Sequence, residues 1–410
     1  MVASALRRWV LATRALLGRG GGTRHTLITL FFNSTTSLVA GGFLGSITGT
    51  FERHPGLLVL VPAAIGLRGN VFSTLGSRLS TAIHMGTLRL NLRRTGVLGQ
   101  NVVASLVLTV GMSLLLAVVT VLISVATGLE DTIPVTDMAL VSIFGGILAS
   151  IVVLATTIGL AAGAVRYGWD LDNVIAPTIS TLGDVLTLPA LWLGAQLLDR
   201  NFTDALAWVL VTLSLTVLVA GWRTDLPDLR RIVRQSIPVL LAAGAASALA
   251  GVVLEKRLAL FVALPALLVL APSFMSSAGA LGGIVASRVS TKLHLGFTST
   301  RAFPDRAARD DMLATLMIGI PVFLFNALGA FVAAAVLGHE GPGIVDFVAV
   351  SMLGGFLAVA FAVAIAYWSA VGARWGGVDP DTYGIPVVTS AVDFAGAFSL
   401  IFVVVLLGLA

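Results

Sequence analysis

Eleven stretches of this chain are apolar for long enough to cross a bilayer, at about 26–50, 56–83, 102–126, 138–165, 173–198, 203–222, 236–254, 258–286, 312–337, 345–373 and 382–409. Inside hydrocarbon every backbone N–H and C=O must be satisfied within a helix or a closed barrel. A barrel would show alternating polar and apolar positions, and these runs do not alternate. The chain therefore reads as an all-α polytopic membrane protein. Charged residues make up 11% of its 410 positions, against about 25% in a soluble domain. The absence of cysteine excludes disulfides and thiolate metal sites. The 44 glycines suit helices that pack backbone to backbone in lipid.

The net charge of +5 reflects membrane sidedness rather than nucleic-acid binding. With the N-terminus placed in the cytoplasm, twenty of the 25 Lys and Arg residues fall in cytoplasmic segments or span ends. Four, Arg53, Arg200, Lys256 and Arg257, fall outside, and Arg68 lies within a span. This bias predicts eleven crossings with the C-terminus external, in a plasma (cytoplasmic-type) membrane. The acid-free start, with Arg7, Arg8, Arg14, Arg19 and Arg24, reads as the cytoplasmic flank of the first span; an organelle transit peptide is the alternative.

The chain also repeats itself. Leu58-Val59-Leu60-x-Pro62 returns as Leu268-Val269-Leu270-x-Pro272. Ser77-Arg78-x-Ser80-Thr81-x2-His84-x-Gly86 returns as Ser287-Arg288-x-Ser290-Thr291-x2-His294-x-Gly296. Asp137-x4-Ser142-x2-Gly145-Gly146 returns as Asp346-x4-Ser351-x2-Gly354-Gly355. Asp170-x-Asp172-x4-Pro177-x6-Asp184 returns as Asp379-x-Asp381-x4-Pro386-x6-Asp393. Two five-helix repeats, 26–199 and 236–410, follow a basic N-terminal segment, 1–25. A linking helix and basic loop, 200–235, join them. That extra crossing restores parity, so the repeats are expected to run parallel, related by an axis along the membrane normal. One chain would then be an internal pseudo-dimer, able to form a path as a monomer.

Asp184 and Asp393 carry the chemistry. A carboxylate deep in a span is costly and ordinarily functional; neutralisation by local hydrogen bonds for packing alone is the competing reading. Ser180 and Thr181 share a helix face with Asp184, as Thr389 and Ser390 do with Asp393. Pro177 and Pro386 are expected to loosen each helix and free a carbonyl. Carboxylates, hydroxyls and carbonyls are hard ligands suited to Mg²⁺, Ca²⁺ or Mn²⁺ far better than to zinc or copper, and Mg²⁺, which keeps most of its waters, needs few of them. Helix two is expected to be interrupted at Pro62, Gly66, Gly69 and Asn70, with Asn70 a polar contact on a cavity wall or the bonded edge of a glycine notch. Arg68 is expected to snorkel or pair internally. Asp137 and Asp346 read as helix N-caps. Asp170, Asp172, Asp379 and Asp381 draw cations to the cytoplasmic mouth or form a solvated turn. His84 and His294 lack a second histidine at ligand spacing and read as structural.

Pro62-x3-Gly66-x2-Gly69-Asn70, followed by Ser77-Arg78-Leu79-Ser80-Thr81-Ala82, resembles the MgtE-type divalent-cation transporters, especially their two-repeat solute-carrier relatives. The resemblance covers nearly all of 26–409. It implies transport of Mg²⁺ along a path between the repeats, Asp184 and Asp393 as the pore acids, and no enzymatic role. Two departures stand out. Ser276 and Ala280 replace the counterparts of Gly66 and Asn70, and the cytosolic sensing region of the bacterial proteins has no counterpart here, so gating without it is expected. An intramembrane aspartyl protease also needs two acids, but Thr181-Leu182-Gly183-Asp184 and Pro189-Ala190-Leu191 match its signatures only partly. A proton-coupled carrier of an organic solute would want aromatic pocket walls, and aromatics are 7% of the chain.

Overall fold

A computed structural model describes residues 21–91, 93, 95–129, 131–167, 171–294, 303–375 and 380–409. Within these, side chains are described except at 21–23, 25, 171–177, 180, 294, 307, 373, 374 and 380–387. The described residues are all-helical: α1 (Gly21–Ser46), α2 (Thr48–Arg53), α3 (Leu57–His84), α4 (Val97–Ala126), α5 (Val135–Tyr167), α6 (Leu171–Ala195), α7 (Thr203–Arg223), α8 (Pro227–Glu255), α9 (Leu258–Ala263), α10 (Pro265–His294), α11 (Arg306–Leu337), α12 (Ile344–Trp375) and α13 (Pro380–Leu406). Ten are long and apolar enough to cross a membrane. The eleventh expected crossing is α6, whose 25 residues extend about 37 Å at helical rise.

Two expected spans are divided. The run 26–50 ends at Ser46, and the short α2 follows; the run 258–286 opens as the short α9, and Pro265 starts a new helix because it has no N–H to donate. These short helices are repeat equivalents, displaced by 210 residues, and they pack on each other. The expected break in helix two is not present. Helix α3 continues through Pro62 to His84; a proline near a helix start forfeits one hydrogen bond, and glycines permit close approach without unwinding the backbone.

Helix one of each repeat packs against the opposite repeat. Helix α1 lies on α10 and α11, and α8 lies on α3 and α4. Glycines set both crossings. A Cβ at Gly41 would strike the Val269 carbonyl oxygen, and one at Gly251 would lie 2.6 Å from Val59 Cα. Val59 and Val269 are themselves repeat equivalents. Within each repeat, helices three and four are tied in the same way: Ser142 Oγ donates to Ser113 O at 2.8 Å, and Ser351 Oγ to Phe323 O at 2.7 Å. The second helices, α3 and α10, are the most buried of the ten spans.

Local chemistry terminates the elements. Asp305 caps α11 by accepting from Ala308 N at 3.0 Å, and Gly338, at φ +70°, ends it. The start of α3 is capped across the repeat boundary. Glu255, the last residue of α8, accepts from Gly56 N at 2.8 Å and Leu58 N at 3.1 Å, which sets a carboxylate on a helix N-terminus. Linking helix α7 lies mainly on α4 and α5, with a smaller contact to α8. Gly111 receives Leu218 and Gly221 receives Val107, while Trp208, Val209 and Trp222 face outward, as lipid contact requires.

Candidate functional site: an aspartate from each repeat

The exchange of helix one brings three elements around each intramembrane acid. Asp184, on α6, is 8% exposed and accepts from Ser37 Oγ of α1 at 2.7 Å. The Ser276 hydroxyl of α10 sits beside this carboxylate, and the Asn33 amide of α1 donates to Ser276 Oγ at 2.9 Å. Asp393, on α13, is half-buried and accepts from Ser247 Oγ of α8 at 2.9 Å. Ser37 and Ser247 are both buried and are displaced by 210 residues. Each acid is thus held by helix one of its own repeat, and that helix lies against helix two of the other.

The two carboxylates lie within charge–charge range of each other. When ionised they place two negative charges in a low-dielectric interior, where repulsion is much stronger than in water. The hydroxyl donors offset part of that cost. One divalent cation would neutralise the pair. Among the described residues there is no cluster of three or more His, Asp or Glu side chains. The donor set here is two carboxylates and several hydroxyls, which suits an ion that keeps much of its water shell.

The other expected contacts are placed as follows. Thr181 Oγ1, one turn before Asp184, is buried with no hydrogen-bond partner among the described residues. The side chain of Ser180 lies outside the described set. Ser390 is buried, and Thr389 is half-buried and already engaged with a neighbour. Asn70 is half-buried beside Gly69, whose backbone nitrogen lies 3.9 Å from where a Gly183 Cβ would sit. The glycine-rich face of α3 is therefore in near contact with α6 next to Asp184.

One expectation changes, and one pair of alternatives is decided. Asp137 and Asp346 are each the third residue of their helix, α5 and α12, rather than its cap; an acid in the first turn is favoured by the positive end of the helix dipole. Arg68 does not snorkel. It is 2% exposed, donates to Ala64 O at 2.5 Å, and turns its guanidinium toward Gly146 of α5, beside Ser113 of α4. Its Nε has no partner among the described residues. Asp170 and Asp379 lie outside the described residues, as do the side chains of Asp172, Asp381 and His294.

Sequence reasoning missed Ser37, Ser247 and Asn33, treated Ser276 only as a departure, and overlooked the buried Glu255. One signal was available: Ser37-x3-Gly41 returns as Ser247-x3-Gly251. That spacing puts a hydroxyl and a glycine on one helix face, the small-residue pattern of close membrane packing.

The family model described as MgtE, divalent cation transporter, matches this chain twice, at residues 61–193 and 271–403. Solute carrier family 41 member 2 of Xenopus laevis is 26% identical over 372 residues, covering 84% of this chain and 64% of the relative. The Homo sapiens member 2 is 25% identical over 371 residues, with 84% and 63% covered. Solute carrier family 41 member 3 of Rattus norvegicus is 26% identical over 396 residues, covering 91% of this chain and 85% of the relative. The chain thus spans a little under two thirds of the member 2 relatives. No solved structure matches it.

Proposed function

This chain belongs to the MgtE divalent cation transporter family, and we propose that it moves a divalent cation, Mg²⁺ foremost, through a path between its two repeats. Asp184 and Asp393 bind the ion. Thr181, Ser180, Thr389 and Ser390 contact its water shell, and Asn70 lines the wall. Membership of a transporter family leaves the protease reading without support.

The observation that carries the proposal is the pair of acids. Each comes from helix five of a different repeat, each accepts a hydroxyl bond from helix one of its own repeat, and Asp393 lies within electrostatic reach of Asp184. An unpaired acid in a span is hard to maintain, and two near each other are harder unless a cation visits. Direct coordination by a few carboxylates, with water filling the remaining positions, is the usual way of holding Mg²⁺. The basic bias of the connecting segments supports a cytoplasmic N-terminus and an external C-terminus.

The test is growth and Mg²⁺ uptake in a host deficient in magnesium transport. The parent chain restores both, and Asp184→Asn and Asp393→Asn each lose uptake while still reaching the membrane. Restoration by both variants at the parent level would show that the acids do not bind the transported ion.

A further inference from the structure

The twin acids are chemically alike, but their surroundings are not. Asp184 accepts from Ser37, and a second hydroxyl, Ser276, held in place by Asn33, sits beside it. Among the described residues, Asp393 has one hydroxyl beside it, Ser247. The position equivalent to Ser276 is Gly66, and a Cβ built there would lie 3.6 Å from Ser247 Oγ, an ordinary contact distance. The helix-two position thus offers Asp393 no second hydroxyl, although the space there accommodates a side-chain carbon.

The asymmetry extends behind the acids. Beside Ser276, Ser34 Oγ and Ser277 Oγ are 3.1 Å apart, and Asn326 Nδ2 donates to Ser277 Oγ at 2.9 Å and to Ser273 O at 3.2 Å. This chain of bonds joins α1, α10 and α11. The equivalent positions in the other half are Gly244, Leu67, Leu116 and Ala63. There the contact is apolar, with a Cβ at Gly244 falling 2.8 Å from Leu116 Cδ1. The wall behind Asp184 is hydrogen-bonded in one geometry, whereas the wall behind Asp393 is held by packing, which tolerates sliding and rotamer exchange more readily.

We propose that the two acids divide the work. Asp184 is the fixed ligand that sets where the ion rests, and Asp393 is the mobile ligand that engages and releases it, kept free by Gly66. This inference rests on the proposed ion-binding role of the pair and assigns each member a separate step. A ligand flanked by two hydroxyls has a preset rotamer and lone pairs turned toward them; a ligand beside one hydroxyl can rotate and exchange it for metal-bound water. Gly66 is then the positioning residue, acting through the hydroxyl it does not carry.

The experiment uses the full chain in proteoliposomes, with Mg²⁺ influx followed by a lumenal dye over a range of Mg²⁺ concentrations. Gly66→Ser supplies the missing hydroxyl and is expected to lower maximal flux about fivefold or more with KM little changed. Gly66→Ala adds the same carbon without the hydroxyl and is expected to stay within about twofold of the parent. Ser276→Gly loosens the fixed ligand and is expected to raise KM about threefold or more while maximal flux holds. Equal effects of Gly66→Ser and Gly66→Ala, or the same kinetic parameter moved by Gly66→Ser and Ser276→Gly, would overturn the division of labour. If Gly66→Ser does not reach the membrane, Ser247→Ala and Ser37→Ala give the same contrast, with maximal flux altered by the first and KM by the second. Asp184→Asn and Asp393→Asn run alongside. Loss of flux in both, with no kinetic contrast among the serine and glycine variants, sinks the division alone; parent-level flux in both sinks the ion site itself.

Discussion

Gly251→Ala tests the helix exchange on which both acid sites depend. A methyl group there would place its carbon 2.6 Å from Val59 Cα and 2.7 Å from Val59 C. Non-bonded carbons rest about 3.5–4.0 Å apart, so α8 and α3 must separate by about 1 Å. Both opposing atoms are backbone, so no side chain can swing aside. Overpacking of this kind costs about 1–3 kcal/mol. Alanine returns up to about 1 kcal/mol of helix propensity relative to glycine, which leaves a net loss of up to about 2 kcal/mol. Gly159→Ala on α5 is the control, because nothing lies within 4 Å of its Cβ position and it should show the propensity gain alone. Thermal unfolding of the purified protein should therefore rank Gly159→Ala above the parent and Gly251→Ala below it. Gly41→Ala, at the equivalent crossing against Val269, should fall with Gly251→Ala. Equal midpoints for Gly251→Ala and Gly159→Ala would mean that α8 does not cross α3 at Val59, and the account of the exchanged helices would be wrong.

Three further outcomes are expected. Ser34→Cys combined with Ser277→Cys replaces oxygens 3.1 Å apart with sulfurs in a chain that has no other cysteine. A disulfide needs about 2.05 Å, so mild oxidation should join the halves and keep them together after protease cleavage between them; separation without reductant would place α1 away from α10. Glu255→Ala strips the acceptor from Gly56 N and Leu58 N and should cost about 1–3 kcal/mol in unfolding measurements, through donors left unsatisfied; an unchanged midpoint would show that water caps α3 equally well. Arg68→Met removes a buried guanidinium that makes no ion pair among the described residues and should leave stability unchanged or raised, because burying an uncompensated charge is costly. Arg68→Ala should be less stable than Arg68→Met, by the cavity it leaves. A fall of more than about 2 kcal/mol in Arg68→Met would indicate that the guanidinium holds a partner essential to the fold.

The sequence carries some levels of this structure openly and others not at all. Apolar length yields the spans because the bilayer permits only one local answer, the helix. Register at 209–210 residues reveals the repeat because separated motifs rarely keep one spacing by chance. The acids stand out because hydrocarbon makes them expensive. What surrounds them is harder to read. Ser37 and Ser247 are small, moderately polar residues of a kind common in membrane helices, and only contact with a carboxylate on another helix marks them. The uninterrupted course of α3 was hidden for a related reason: Gly66, Gly69 and Pro62 read as breakers in isolation, yet the helix runs through all three, packed against its neighbours. Partner identity decides these cases, and the pattern of one helix does not state its partner.

The crossing of helix one to the opposite repeat follows from no motif, but it has a consequence for how such a chain can specialise. If each acid were enclosed by its own repeat alone, a change in one half would alter one site and leave the other intact. Here Asp184 meets Ser37 from its own repeat and Ser276 from the other, so helix two of each half tunes the acid of its neighbour. Two identical chains could not use this freedom, because a serine at the helix-two position would clamp both acids together. A fused pair can hold serine at 276 and glycine at 66, so that one carboxylate is fixed while its counterpart moves. The degenerate second helix-two motif, which the sequence presents as the loss of a family feature, is on this argument the source of a difference between two otherwise equivalent ligands. It should then be reciprocal: exchanging the residues, Gly66→Ser together with Ser276→Gly, should restore more flux than Gly66→Ser alone by handing the mobile role to Asp184. A double variant no faster than Gly66→Ser would confine the asymmetry to the fixed geometry of the two halves.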